Sequence, residues 1–177
     1  MPWRNGLGST IELAKHPSGD AFKWRLSMAD VAQDGTFSDF SGYDRCLLLM
    51  RGAGMTLTNH EGQQWELSTP LDAAHFRGED LIAARLHNGP IRDLNLITRR
   101  QDCWAKVFTS QQHQSQTIPL QGDLFLLFSI QGNTHFQLNN TQQTQVQEQH
   151  LLQLGPSATD TCHCHGEAWV GILISDL

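Results

Sequence analysis

Polar and apolar residues alternate over short stretches of this chain, and turn residues separate the stretches. In 22–27, Phe22, Trp24 and Leu26 fall on one side of an extended backbone and Lys23, Arg25 and Ser27 on the other, the period-two pattern of a half-buried strand. Residues 46–50 are continuously apolar, which predicts a strand buried on both faces. Residues 55–58 alternate again, run into the turn Asn59-His60-Glu61-Gly62, and are expected to pair back on 63–67 as a hairpin. Strands are further expected over 81–86 and 91–98, divided by His87-Asn88-Gly89-Pro90, and then over 104–108, 124–130, 135–138, 149–154 and 169–175. Helical periodicity is nearly absent. Short strands with Gly-containing turns throughout predict an all-β sandwich or barrel.

The halves resemble one another in order. Residues 44–52 parallel 123–132 with one inserted residue, the alternating stretch 55–60 parallels 134–140, and 89–98 parallel 166–175. Such internal similarity predicts a degenerate duplication, with one barrel over 1–100 and a second over 101–177, packed as one compact unit that permits strand exchange. The first half carries Arg45, Arg51, Asp93 and Asn95 where this alignment puts Leu124, Ile130 or Gln131, Val170 and Ile172 in the second. Buried charge is costly unless paired, and persists where it has a task. The polar site is therefore expected in the first half, with the second filled by side chains as scaffold.

Composition narrows the classes. Eighteen acidic residues against 12 Lys and Arg give a formal net charge of −6, which argues against nucleic acid as a partner. The one local basic pair, Arg99-Arg100, reads as a solvated loop. No apolar run approaches the roughly 20 residues of a membrane helix, and Met1-Pro2-Trp3-Arg4-Asn5-Gly6 lacks the apolar core of a secretory signal. A cytoplasmic protein with no membrane partner is expected. The four cysteines, Cys46, Cys103, Cys162 and Cys164, show no zinc-ribbon spacing and read as reduced core thiols. There is no Gly-x-Ser-x-Gly elbow, phosphate loop or dinucleotide fingerprint.

Several motifs carry a family resemblance. Met1-Pro2-Trp3-Arg4-Asn5-Gly6, Thr10 with Glu12, residues 24–31, the run 34–45 ending in Gly42-Tyr43-Asp44-Arg45, and Gly52-Ala53-Gly54-Met55 resemble the HutD/Ves family. Phe76-Arg77-Gly78-Glu79 and 92–99 fit as well, so the specific likeness spans about residues 1–100. Members of the family usually carry a strand ahead of the Pro-Trp motif, at which this chain starts. The resemblance implies a two-cupin fold. It also implies a non-enzymatic protein without cofactor that binds an intermediate of histidine degradation, N-formylglutamate or urocanate, and restrains the pathway. The Ves branch is described as stress-induced and has no agreed biochemical role.

Within that frame Arg45 is the first candidate for ligand binding, because a bidentate guanidinium suits a carboxylate. Its structural alternative is an internal ion pair with Asp44 or Asp93. Arg25 and Ser27 share a strand face and offer a second anion contact and a hydroxyl, or else they face water. Asp93 and Asn95 share a face as well, and Asn95 both donates and accepts. Trp3 and Asn5 are placed over the opening, Trp3 by stacking and Asn5 by hydrogen bonding, unless Trp3 is a plain hydrophobic plug. A metal-dependent cupin enzyme is the rival class, and here its His-x-His signature is His163-Cys164-His165 followed by Glu167. His75, His87 and Glu79 are the candidates for metal-free acid–base chemistry. A third reading is a homodimer formed through strand surfaces bearing Trp104, Phe108 or Trp169.

Overall fold

The computed structural model describes residues 8–141 and 143–177. The chain divides into two compact units, Met1–Asp102 and Cys103–Leu177. All regular structure among the described residues is β.

The first unit contains β1 (Gly8–Ser18), β2 (Ala21–Val31), β3 (Gly35–Thr36), β4 (Tyr43–Arg51), β5 (Met55–Thr58), β6 (Gln64–Leu67), β7 (Ala73–Arg77), β8 (Ala83–Leu86) and β9 (Ile91–Arg99). A five-stranded antiparallel sheet runs β1-β2-β9-β4-β7, and a four-stranded sheet runs β3-β8-β5-β6. Leu47, Leu49, Ala74, Phe76, Ala29, Val31 and Ile91 from the first sheet share one apolar cluster with Met55, Leu57, Leu67 and Ala84 from the second. The predicted hairpin is closed by Asn59, whose Oδ1 accepts the backbone N–H of Glu61 at 3.1 Å and of Gln63 at 2.8 Å. The face of the five-stranded sheet that carries Trp24, Leu26, Cys46, Leu48, Leu94 and Leu96 is buried too, as the apolar run 46–50 requires.

The second unit contains β10 (Cys103–Gln111), β11 (Ser115–Pro119), β12 (Leu124–Leu138), β13 (Thr144–Val146), β14 (Leu151–Leu154) and β15 (Thr161–Asp176). The long strands β12 and β15 pair with each other, and shorter strands flank their two ends. The segments 124–130 and 135–138, expected as separate strands, are one. Gln131-Gly132-Asn133 forms a bulge instead of a turn. The Ser129 hydroxyl ties it, donating to the Gly132 carbonyl at 2.7 Å and lying 2.8 Å from Thr134 Oγ1.

The segments matched between the halves pair in the same register: Arg45 opposes Ile97 as Leu124 opposes Ile174, and Leu49 opposes Asp93 as Phe128 opposes Val170. The faces differ, however. The cluster of the second unit is built by Phe125, Leu127, Trp169 and Leu173, so Leu124, Val170 and Ile172 lie on the opposite face and are not the counterparts of Arg45, Asp93 and Asn95. A one-residue slip in each strand keeps the pairing and exchanges the sides. With the slip corrected, the interior counterparts are Phe125, Trp169 and Gly171. Arg51 also departs from expectation. It is exposed, and its guanidinium lies 3.6 Å from Asp30. Trp169 is fully buried and Phe108 packs against the same cluster, which leaves Trp104, 46% exposed, as the surface aromatic of the three proposed for pairing. All four cysteines are buried and free of disulfides.

Candidate functional site

Alternation along β2, β4 and β9 puts Arg25, Ser27, Arg45, Asp93 and Asn95 on the face that lines the interior of the first unit. Register then orders them into rungs across the three strands. Arg25 and Arg45 flank Ile97, Ser27 and Leu47 flank Asn95, and Ala29 and Leu49 flank Asp93. The charged rung lies at one end and the carboxyl two rungs deeper. Trp3 and Asn5 lie outside the described residues.

Arg45 is 6% exposed, and its Nε has no hydrogen-bond partner. Burial lowers its pKa to about 10, opposed by the charge of Asp93 and assisted by that of Arg25, so it stays cationic at neutral pH. Neither ion pair offered as its structural alternative forms among the described residues. Asp44 is exposed and accepts from Arg100 Nε at 2.9 Å. Asp93 acts on Arg45 through its charge without contact. Instead, the Arg45 guanidinium is boxed by rings, 5.0 Å from Phe37, 5.0 Å from Phe76 and 5.4 Å from Phe40. Arg25 sits 5.1 Å from Phe40 and 5.2 Å from Phe22. Burial lowers its pKa as well, and its Nε is likewise unpartnered. The ring faces stabilise these cations by about 2 kcal/mol where water is excluded, and they leave the Nε of each without a hydrogen-bond partner.

Asp93 is 2% exposed. Burial pushes its pKa up to about 7 against the pull of Arg45, and Oδ1 has no partner. Asn95 is half-buried and its Oδ1 is unpartnered too. Among the described residues the interior thus offers two cations that are not ion-paired, one of them under the charge of Glu12, and two oxygens without donors.

The aromatic box is what sequence reasoning missed. Phe22 was placed with Trp24, opposite Arg25, but the β1–β2 register skips Lys23, and the shift brings Phe22 to Arg25. Phe37 and Phe40 lie outside regular strands apart from their neighbour β3, and β7, which supplies Phe76, was not foreseen. Phe37, Phe40 and Phe76 do stand within the quoted family motifs, which was the available signal. Phe40 is held by backbone bonds to Gly78 at 2.9 Å and from Tyr43 at 3.0 Å. A Cβ on Gly78 would lie 2.0 Å from the Phe40 carbonyl oxygen, so only glycine permits this approach.

Outside the interior, Arg99 and Arg100 form a polar clasp instead of a free basic pair. Arg100 bonds both oxygens of Glu79 at 3.1 Å and the Tyr43 carbonyl at 3.0 Å. Its hydrogen bond holds the Glu79 carboxyl down at about 2. Arg99 donates to the Tyr43 hydroxyl at 3.4 Å and pairs with Asp102 at 3.2 Å. Glu79 is therefore committed elsewhere, while His75 lies 3.8 Å from the Cys46 thiol and His87 2.9 Å from the Thr56 hydroxyl. The three acid–base candidates are not brought together. In the second unit, the alternation of β15 buries Cys162 and Cys164 and turns His163 and His165 outward. Their Nδ1 atoms lie 3.1 Å from the Thr117 and Ser115 hydroxyls. Among the described residues no three His, Cys, Asp or Glu side chains converge as a metal site.

The sequence model of the HutD family matches residues 1–172. The chain belongs to the HutD family. Over 99 residues it is 43% identical to a protein of Pseudomonas putida described as an uncharacterized 21.2 kDa protein in the hutC 3' region, covering 55% of this chain and 52% of that one. Over 107 residues it is 36% identical to Protein Ves of Escherichia fergusonii, covering 59% and 56% respectively. The matched region thus spans about half the length of these curated relatives. The solved HutD of Pseudomonas fluorescens SBW25, from a formate condition, superposes with a TM-score of 0.83 at 32% identity, over 100% of this chain and 93% of that one. The HutD fold is cupin-like. A putative glyoxylate-induced protein of Pseudomonas aeruginosa matches 97% of this chain and 80% of its own, with a TM-score of 0.65 at 14% identity, and shows the fold alone.

Proposed function

We propose that the first unit captures a small carboxylate-bearing metabolite and that the protein acts by binding it, not by transforming it. One observation carries the reading. Arg25 and Arg45 are drawn into the interior and ringed by phenylalanines, the Nε of each has no hydrogen-bond partner, and among the described residues neither is ion-paired, the charges of Glu12 and Asp93 acting on them without contact. A buried charge without a partner is costly, and a carboxylate laid against a guanidinium edge removes that cost. Ser27 and Asn95 on the next rung then meet the uncharged part of the ligand. Family membership makes N-formylglutamate or urocanate the first candidates, and restraint of the histidine-utilisation pathway the role. The scattering of His75, His87 and Glu79 supports binding over metal-free catalysis.

The test is isothermal titration of the chain with N-formylglutamate, urocanate and glutarate, repeated with Arg45→Met, which keeps the apolar stem among the rings. Loss of this charge-assisted contact is expected to cost about 2–5 kcal/mol of binding. Folded Arg45→Met that binds with unchanged affinity would refute the assignment.

A further inference from the structure

Asp93 is not needed to grip an anion, and at first sight its charge opposes one. It lies on the interior face of β9 between Ala29 of β2 and Leu49 of β4, two rungs below Arg25 and Arg45. Resting on the carboxylate-binding reading above, we infer that Asp93 is the resident counter-charge of Arg45. A carboxylate entering the interior displaces it in that role, Asp93 takes up one proton from solvent, and its neutral carboxyl donates a hydrogen bond to the ligand.

The groups around it support this exchange. The cation acting on it is Arg45 of β4, with Arg25 of β2 on the same rung as Arg45 and under the charge of Glu12 of β1, which opposes Ser27. On its own strand, Ile91, Asn95 and Ile97 share its face. Phe76 and Ala74 of β7, and Met55, Leu57, Leu67 and Ala84 of the four-stranded sheet, are apolar. Asp30 of β2 adds repulsion, blunted because Arg92 holds it bidentately at 2.6 and 2.7 Å and Arg51 lies beside it. The histidines His16, His60, His75 and His87 of this unit are exposed. The Asp93 carboxyl is pushed up to about 7 by burial even with Arg45 unshared. Once an added anion neutralises Arg45, the same burial drives it higher, and by linkage binding must take up a proton. With Asp93 Oδ1 unpartnered, protonation gives this carboxyl a donor that it lacks when ionised.

The experiment is titration of the whole chain with glutarate and N-formylglutamate, both fully ionised from about pH 6.5 to about pH 8.5. Affinity is expected to fall toward about tenfold per pH unit above neutrality. The binding heat should also differ between phosphate and Tris in proportion to the proton taken up, a readout that needs no variant. Asp93→Asn, which mimics the neutral carboxyl, should bind with affinity flat across the range and with heat independent of the buffer. Carboxylate binding by the unmutated chain with no dependence on pH or buffer overturns this inference and leaves the carboxylate reading intact. Failure of both probes to bind at any pH overturns both.

Discussion

The same carboxyl makes a prediction that needs no ligand. Asp93→Asn replaces an ionisable group by one of nearly the same shape that stays neutral. Burial raises Asp93 from its ordinary 3.8 to about 7, so between those values the folded chain holds a proton that the unfolded chain has released. Its contribution is therefore fully present below about pH 4, is lost as pH rises toward 7, and is level above that. A difference of roughly 3 units at about 1.36 kcal/mol each is a cost of up to about 4 kcal/mol in the ionised form. Urea unfolding of the two proteins at a series of pH values reads it as a difference, in which every other titrating group cancels. The proteins should be nearly equal below about pH 4. Asp93→Asn should gain steadily with pH and lead by several kcal/mol at pH 8, within about the 4 kcal/mol ceiling. A difference that does not change with pH, or a variant less stable than the parent at pH 8, would show that Asp93 is not a desolvated carboxyl held against its preference.

Two glycines give further checks. Gly78→Ala must push the Phe40 backbone away from 2.0 Å contact, so it should cost about 1–3 kcal/mol of stability and also weaken glutarate binding, because Phe40 faces both arginines; denaturation and titration read the two effects. Gly171→Ala brings a Cβ to 3.1 Å from the Phe125 ring and should destabilise by a comparable or smaller amount, about 1 kcal/mol, with glutarate affinity unchanged.

How much of this was legible depended on whether a residue's position follows from period alone. Arg25 with Ser27, and Asp93 with Asn95, were placed on common faces by simple alternation, and the strands that carry them are the ones observed. The all-β class followed from the same signal. That the two pairs and Arg45 share a single interior required the order β2-β9-β4, which is non-local pairing that no short window contains. The strand β1 went unread because its ladder with β2 is broken twice and includes Pro17, so neither its alternation nor its composition looks like a strand. The rings around the guanidiniums were hidden for a related reason. Phe37 and Phe40 sit where the backbone is irregular, and irregular backbone has no period to extrapolate. The partnership of Arg100 with Asp44 and Glu79 joins residues 56 and 21 positions apart, so side chains that read as solvated loop charges form one clasp.

The slip between the halves bears on why only one of them reads as a site. Taken rung by rung on the interior face, Arg45–Ile97, Leu47–Asn95 and Leu49–Asp93 in the first unit answer to Phe125–Leu173, Leu127–Gly171 and Ser129–Trp169 in the second. The layout fits a duplicated ancestor, and the substitutions at those rungs compensate one another. An aromatic ring at 125 lies over position 171, and the glycine there leaves it room. An indole at 169, wholly buried, occupies the rung where the first unit keeps a carboxyl. These changes replace a guanidinium, an amide and a carboxyl by two aromatic groups and a glycine, although the buried indole Nε1 of Trp169 is itself without a hydrogen-bond partner. A packed interior gains dispersion and apolar burial from every atom in it, while the first unit forgoes that gain at Arg25, Arg45, Asp93 and Asn95, whose unsatisfied atoms cost stability instead. The two interiors thus part at three rungs, where one unit sets Arg45, Asn95 and Asp93 and the other Phe125, Gly171 and Trp169.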